Sequence, residues 1–357
     1  MAVHIGIGTY EGSVCGLGLK PSESADLELQ YGYTPHSGTV RDIVVDGSMM
    51  MSAGADDFIR IYNVQKRKEV GVLVQHNGPV NCLDILHRKY ALSGGDDGEL
   101  CVWRSRDWEL LRRLRAHKKP VLDAKFHPSG AAAVTIGGDR KLKLWDIVRA
   151  HEAFGTALEN DARQVEWMSE GDRFAIAHGR KISVFETEKG SIFCDMELPK
   201  KVLSMAVINR SRIAAVCEGA QIQILDLRTE KEAMNFGGHS NRIVGISAVG
   251  TLLFSADCRG SVRGWVMEKT RQPLCEKTLG KRINTLCSGT MSDDSEGNAL
   301  EMPAPEENEH ADEEPAAAGS DDSEAEDKAL KERGARKSSK TRKSLKKNRE
   351  KRRARLQ

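Results

Sequence analysis

Histidine, aspartate and serine or threonine recur together in this sequence, and these are the side chains from which hydrolytic triads and metal sites are built. His36, His76 and His117 are followed by Ser52, Ser93 and Thr135, then by Asp56, Asp97 and Asp139, and then by an aromatic residue, Tyr62, Trp103 or Trp145. In each set the Asp stands six residues and the hydroxyl ten residues before the aromatic. A catalytic or metal centre needs its groups to converge on one point, whereas here one set occurs in each of three successive repeats, which disperses them around a repeat fold. An imidazole buried at a sheet edge needs a partner on each nitrogen, and an Asp and a hydroxyl with an indole N–H beyond it supply a closed hydrogen-bonded chain. The sets therefore read as structural tetrads, with no catalytic residue, metal ligand or cofactor site expected. Gly6, Gly8 and Gly12 miss the dinucleotide-binding spacing by one residue, and no helical pattern follows them.

The elements that hold these residues are short strands. Apolar strand starts recur at Val40, Val80, Val121, Val165, Val202, Ile243 and Ile283, at intervals of 40, 41, 44, 37, 41 and 40 residues. His36, His76, His117 and His239 each stand four residues before such a start, and Tyr62, Trp103, Trp145 and Trp265 stand 22 to 24 residues after it. The second repeat divides into strands at 80–86, 90–93, 100–103 and 110–114, and Gly94-Gly95-Asp96-Asp97-Gly98 supplies the positive φ angles of the hairpin between the second and third. His127 to Gly130 read as an ordinary turn between two strands. This phrasing predicts four-stranded propeller blades.

The fourth repeat places Ala175 and Gly179, and the fifth Ala215 and Gly219, where a hydroxyl and an Asp are expected; the sixth has His239, Ser255 and Trp265 but Arg259 at the Asp position, with Asp257 two residues early. Those three blades are expected to rely on strand pairing and apolar packing. The seventh start opens a single strand, 283–287, while three strand-like runs, 4–9, 13–19 and 27–33, precede the first. Joining them closes a ring and removes free sheet edges. The fold class expected is all-β: a seven-bladed propeller with a split closing blade over residues 1–288, followed by a disordered charged tail.

Beyond the repeats the chain is a charge block polymer. Residues 289–327 hold 15 acidic residues and no Lys or Arg, and residues 328–357 hold 15 basic residues against two acidic, so the net charge of +2 conceals the asymmetry. With little aliphatic or aromatic content the tail cannot offset its ordering entropy. Its basic pairs, Arg336-Lys337, Arg342-Lys343, Lys346-Lys347 and Lys351-Arg352-Arg353, fit a nuclear import signal and an RNA-binding arm alike. The acidic block is expected to pair with the basic one until RNA displaces it, and Ser323, before Glu324 and Glu326, has the pattern of an acidic-directed phosphorylation site. Eight scattered cysteines without a C-x-x-C pair read as free thiols of a reducing compartment, and no leader-like or membrane-length apolar run occurs.

A further pattern precedes each strand start. The two residues before it are Gly38-Thr39, Gly78-Pro79, Lys119-Pro120, Arg163-Gln164, Lys200-Lys201, Asn241-Arg242 and Lys281-Arg282. Lys119, Arg163, Lys200, Lys201, Arg242, Lys281 and Arg282 are thus expected to form a basic arc on one rim, suited to an acidic or phosphate-rich partner.

Asp56 to Asn63, His76 to Cys82, Gly94 to Trp103, Ala116-His117-Lys118, Phe126 to Gly130 and Val165-Glu166-Trp167 together resemble one subfamily of WD-repeat propellers, the p21-activated-kinase-interacting proteins and their yeast counterpart. The resemblance covers the repeat region, while the tail matches in composition alone. It implies a nucleolar assembly factor for the large ribosomal subunit, acting in pre-rRNA processing, that is not an enzyme. Its expected partners are pre-ribosomal assembly proteins, ribosomal proteins and, through the tail, rRNA, with no membrane, and it would act as a monomer within a large particle. The alternative the resemblance implies is a negative regulator that binds p21-activated kinase directly.

Overall fold

The computed structural model of the chain describes residues 2–19, 26–267 and 272–291; Ser323 and the rest of the charged segments beyond Met291 lie outside the described residues. Every regular element described is a β-strand, and the strands form seven four-stranded antiparallel sheets arranged as the blades of a ring. Blades 1 to 6 are contiguous, spanning 40–73, 80–115, 121–157, 162–197, 202–237 and 243–278. Blade 7 is composite: Ile283–Met291 is its first strand, and Ala2–Thr9, Val14–Leu19 and Leu27–Tyr33 complete it in that order.

Burial follows from position within a blade. The second strands, such as Tyr90–Gly95 and Ala132–Gly137, lie between neighbouring blades and are buried almost throughout, which is why they read as continuous apolar or small-residue runs. The outermost strand of blade 1, Lys68–Leu73, alternates exposed and partly buried positions because one of its faces meets water. First strands line the axial channel, to which all seven blades contribute. Most first strands carry a bulge one residue after their start, as at Val40/Asp42, Val80/Cys82 and Val121/Asp123.

The bulge corrects the expected start of blade 4. Ala162 pairs with His178 before the bulge, as Val121 pairs with Gly137, so the blade begins at Ala162 and Val165 sits three residues inside, equivalent to Ile43, Leu83 and Ala124. The intervals then become 40, 41, 41, 40, 41 and 40. The closing strand is also longer than 283–287: Ser288 to Met291 continue the ladder against Ile5 to Ala2, so the acidic composition begins beyond the sheet. In the hairpin of blade 2, Gly98 alone has positive φ (76°), and Asp57 and Arg140 hold the same conformation in blades 1 and 3. Gly95 serves a different need, since a Cβ there would lie 2.8 Å from His76 Nδ1. Gly54 and Gly137 leave the same space for His36 and His117.

Candidate functional site

The three sets of His, Ser/Thr, Asp and aromatic residues form one continuous chain in each of blades 1 to 3. His76 Nδ1 donates to Asp97 at 3.1 Å, its Nε2 accepts from Ser93 Oγ at 2.8 Å, and Trp103 Nε1 donates to Ser93 Oγ at 2.9 Å. His117 repeats this with Asp139, Thr135 and Trp145 at 2.9, 2.9 and 3.0 Å. His36 bonds Asp56 and Ser52 at 2.9 and 2.8 Å, and the Tyr62 hydroxyl reaches Ser52 at a longer 3.3 Å. The second Asp oxygen accepts the N–H of the residue after the histidine, at Ser37, Asn77 and Lys118, which ties the loop before each blade to the turn between its second and third strands. Burial alone would raise the Asp97 carboxyl, but the bonds from His76 and Asn77 outweigh it and hold it at about 2.

Blades 4 to 6 satisfy the same space in other ways. In blade 4 the turn is one residue shorter, Gly179-Arg180, so it has no Asp position, and Ile176 rather than Ala175 takes the hydroxyl position. Leu158 replaces the loop histidine and is buried, while His178 enters at the glycine position and bonds Ser183 at 2.6 Å, which in turn donates to Asp195 at 2.6 Å. Blade 5 has Ala215 and Gly219 at the two positions, with Leu198 in the loop. In blade 6, Trp265 Nε1 and His239 Nε2 both meet Ser255 Oγ at 2.8 Å. Asp257, also at the glycine position, lies 3.5 Å from His239 Nδ1 and accepts the N–H groups of Arg259 and Ser261 at 2.9 Å. Blade 6 therefore has the His239, Ser255 and Trp265 expected of it, with Asp257 rather than Arg259 as the carboxylate beside them. His178 and Asp257 both stand at a position that is glycine in blades 1 to 3, so the offsets of those blades do not mark them.

The rim that carries these loops is defined by seven equivalent backbone bonds. The carbonyls of Thr39, Pro79, Pro120, Asp161, Lys201, Arg242 and Arg282 accept from Ala55, Asp96, Gly138, Gly179, Glu218, Cys258 and Tyr10 respectively. All lie at the same point of their blades, so Lys119, Lys200, Lys201, Arg242, Lys281 and Arg282 share this upper face and are exposed. Lys281 Nζ donates to Ser13 Oγ at 2.8 Å, and the Arg282 guanidinium lies 4.3 Å over the Tyr10 ring. Arg163 does not belong to this series. Blade 4 offers Asn160-Asp161 there, with Asp161 bound by Arg140 at 2.7 Å, so the arc has an acidic interruption. Arg163 is instead the bulge residue, equivalent to Arg41 and Asn81, and lines the channel mouth. There burial, and then the charge of Arg242, lower its affinity for a proton.

The axial channel, about 490 Å³, is polar. Aspartates of the first strands clip blades together: Asp42 accepts from Leu83 N, Asp84 from Phe126 N and Asp123 from Val165 N, at 2.8, 2.7 and 2.8 Å, each across a blade junction. Gln164 continues the series by binding both N and O of Met205 at 2.8 Å. Burial raises Asp123 to about 8 and Asp84 to about 6 despite Lys125 nearby. Burial alone would lower Lys125, but Glu166 and the aspartates keep it well above its ordinary value. Among the described residues no cluster of three or more His, Cys, Asp or Glu could hold a metal ion. All eight cysteines are free and six are buried.

A family model for the WD domain, G-beta repeat, matches residues 67–104 and 108–146. These stretches contain the two complete tetrads that end in tryptophan, and each joins the last strand of one blade to the first three of the next. Over 288 residues the chain is 26% identical to p21-activated protein kinase-interacting protein 1-like of Gallus gallus, covering 78% of both chains. It is 25% identical over 294 residues to p21-activated protein kinase-interacting protein 1 of Homo sapiens, covering 78% of this chain and 75% of that one. With protein MAK11 of Saccharomyces cerevisiae it shares 24% identity over 340 residues, covering 79% and 82%. Tetrads, seven blades and these likenesses agree: the chain carries WD40 repeats, folds as a seven-bladed β-propeller and is similar along about four-fifths of its length to p21-activated protein kinase-interacting protein 1 and MAK11.

Proposed function

We propose that this chain is a non-catalytic scaffold of large ribosomal subunit assembly and pre-rRNA processing, working in the nucleolus, with its upper rim docking assembly or ribosomal proteins and its basic segment, 328–357, holding rRNA. The observation that carries the reading is the shared placement of six exposed cations on the face defined by the seven backbone bonds. This chain's likeness to MAK11 and the concentration of 15 basic residues in the last 30 support it. The tetrad and channel groups are occupied in structural hydrogen bonds, which fits a binding platform rather than an enzyme. Changing Lys119, Lys200, Lys201, Arg242, Lys281 and Arg282 to Glu abolishes co-sedimentation with pre-ribosomal particles and leaves the melting temperature unchanged, because exposed charges contribute little to folding. The matched control, Lys66, Arg67 and Lys68 to Glu, retains co-sedimentation. Wild-type sedimentation of the rim variant overturns the docking assignment.

The basic segment has its own test. Deleting 328–357 removes the protein from the nucleolus and flattens the salt dependence of RNA binding, since fewer phosphate counterions are released, while the propeller melts as before. Nucleolar concentration of the truncated chain would make the propeller's protein contacts the address. The second reading, a regulator that binds p21-activated kinase, is favoured by the names of relatives from Homo sapiens, as a kinase-interacting protein, and Schizosaccharomyces pombe, as Shk1 kinase-binding protein 15. Direct retention of the kinase by a chain lacking 328–357, with no recovery of pre-ribosomal particles by the full chain, would favour it.

A further inference from the structure

The face opposite the rim is charged in sectors. Backbone bonds from Val64 N to Ser48 O in blade 1 and from Ser105 N to Lys89 O in blade 2 place the turns between first and second strands beside those between third and fourth strands. On this lower face blade 1 presents exposed Lys66-Arg67-Lys68 beside Asp46, and blade 2 presents the half-buried Arg88-Lys89 and exposed Arg106 beside Asp107 and Glu109, which pair with Arg104, so the cations outnumber the acids there. The two blades are joined there by Arg88 N, which donates to Asp46 at 2.9 Å. Blade 4 instead presents Glu170, Asp172, Glu186 and Glu188 on the same face, where Arg210, Arg173 and Lys189 pair with the first three.

The basic sector is held in a demanding conformation. The turn between first and second strands bends through a glycine of positive φ in blades 1, 3, 4 and 6, at Gly47, Gly130, Gly171 and Gly250. Blade 2 bends there through His87 and Arg88, at φ 49° and 55°, so a strained backbone is retained where glycine would relieve it, a pattern associated with functional surfaces. Arg67, at φ 49°, has the conformation shared by Trp108, Ala150 and Glu230 in the same turn of blades 2, 3 and 5, and its carbonyl is held by the Tyr33 hydroxyl.

The topology determines what emerges beside this sector. First strands run from the upper rim to the lower face, so the closing strand delivers Met291 to the lower face, paired with Ala2. Blade 7 neighbours blade 1, and Met291 packs on the apolar cluster containing Val64, two residues before Lys66. The sequence then continues Ser292-Asp293-Asp294-Ser295-Glu296, with Glu301 following and no basic residue among them. Ten residues reach at most about 35 Å, enough to cross the lower edges of two adjacent blades.

We infer that the basic lower face of blades 1 and 2 is the docking surface for this chain's own acidic stretch that begins at Asp293, with Arg67 and Arg88 as its anchoring cations. Polyanionic partners then gain this face only by displacing that stretch. The test uses zero-length carbodiimide coupling of carboxylates to amines in the full chain. Asp293, Asp294, Glu296 and Glu301 couple to Lys66 and Lys68, and R67E/R88E, which retains both lysines, lowers that coupling about fivefold or more, as does 1 M salt by screening. The D293N/D294N/E296Q/E301Q variant lies wholly outside the propeller, and it raises acetylation of Lys66 and Lys68 about threefold while leaving Lys200 and Lys201 unchanged. Coupling of the acidic residues to the lysines of 328–357 or to the upper rim instead, or coupling to Lys66 and Lys68 that ignores R67E/R88E, overturns the proposal. So does protection of Lys66 and Lys68 by poly(U) in a wild-type chain that shows no coupling there, which would give the face to nucleic acid.

Discussion

A chain ending at Glu276 is expected to lose its cooperative melt or to be recovered insoluble, whereas a chain ending at Met291 melts like the full-length protein. The missing strand pairs with Ala2–Thr9 along its whole length, and without it that second strand of blade 7 is left as an open edge inside the ring. Ile283 and Leu286, 2% and 8% exposed, belong to the cluster that also holds Ile5, Ile7 and Phe254, so their loss forfeits about 1.5–3 kcal/mol each from burial alone. The strand also makes the junctions on both sides. Asn284 donates to Val40 O of blade 1 at 2.7 Å, and Ser288 meets Ser247 of blade 6 at 2.8 Å. Against a typical total stability of about 5–15 kcal/mol, these losses together leave little margin. Calorimetry and analytical ultracentrifugation on the two truncations check this, and a monomeric 1–276 chain with an unchanged melt would contradict the role of the closing strand.

Asp97→Ala and Asp139→Ala are expected to destabilise by about 1–3 kcal/mol each, because each strands a buried imidazole nitrogen and the N–H of Asn77 or Lys118. Arg259→Ala is expected to cost less. Arg259 occupies the equivalent position in blade 6, but its side chain is exposed and its backbone N–H, which bonds Asp257, survives the substitution. Asp257→Ala is the informative counterpart, since that carboxylate is 1% exposed and serves Arg259 N, Ser261 N and His239 together. It should approach the cost of Asp97→Ala. Denaturant titration of the four variants distinguishes the positions, and equal losses at Asp97, Asp139 and Arg259 would refute the assigned registers. The Asp97 contribution also has a pH signature. Its folded carboxyl is held at about 2, below the ordinary carboxylate value, so its stabilisation is present above that ordinary value and is lost as pH falls through about 2.

The sequence by itself determined the repeat, the strand phrasing of the blades and the three full tetrads. A polar chain of His, hydroxyl, Asp and indole closes only when its members keep fixed offsets along two adjacent strands and their loop, so the geometry is written in the spacing. The split blade was legible for a similar reason, since one strand at the end and three at the start complete one sheet. Tertiary structure alone decided the register of blade 4. The bulge after each first residue makes positions one and four both buried, so Ala162 and Val165 are equally plausible starts by pattern, and only the pairing of Ala162 with His178 separates them. It likewise decided the roles of Asp257, the partner of His239, and of His178, both of which stand at a position glycine occupies in blades 1 to 3. The junction bonds of Asp42, Asp84 and Asp123 were invisible for a further reason: each joins residues more than 40 apart through a backbone N–H, a donor that every residue except proline possesses and no sequence pattern marks.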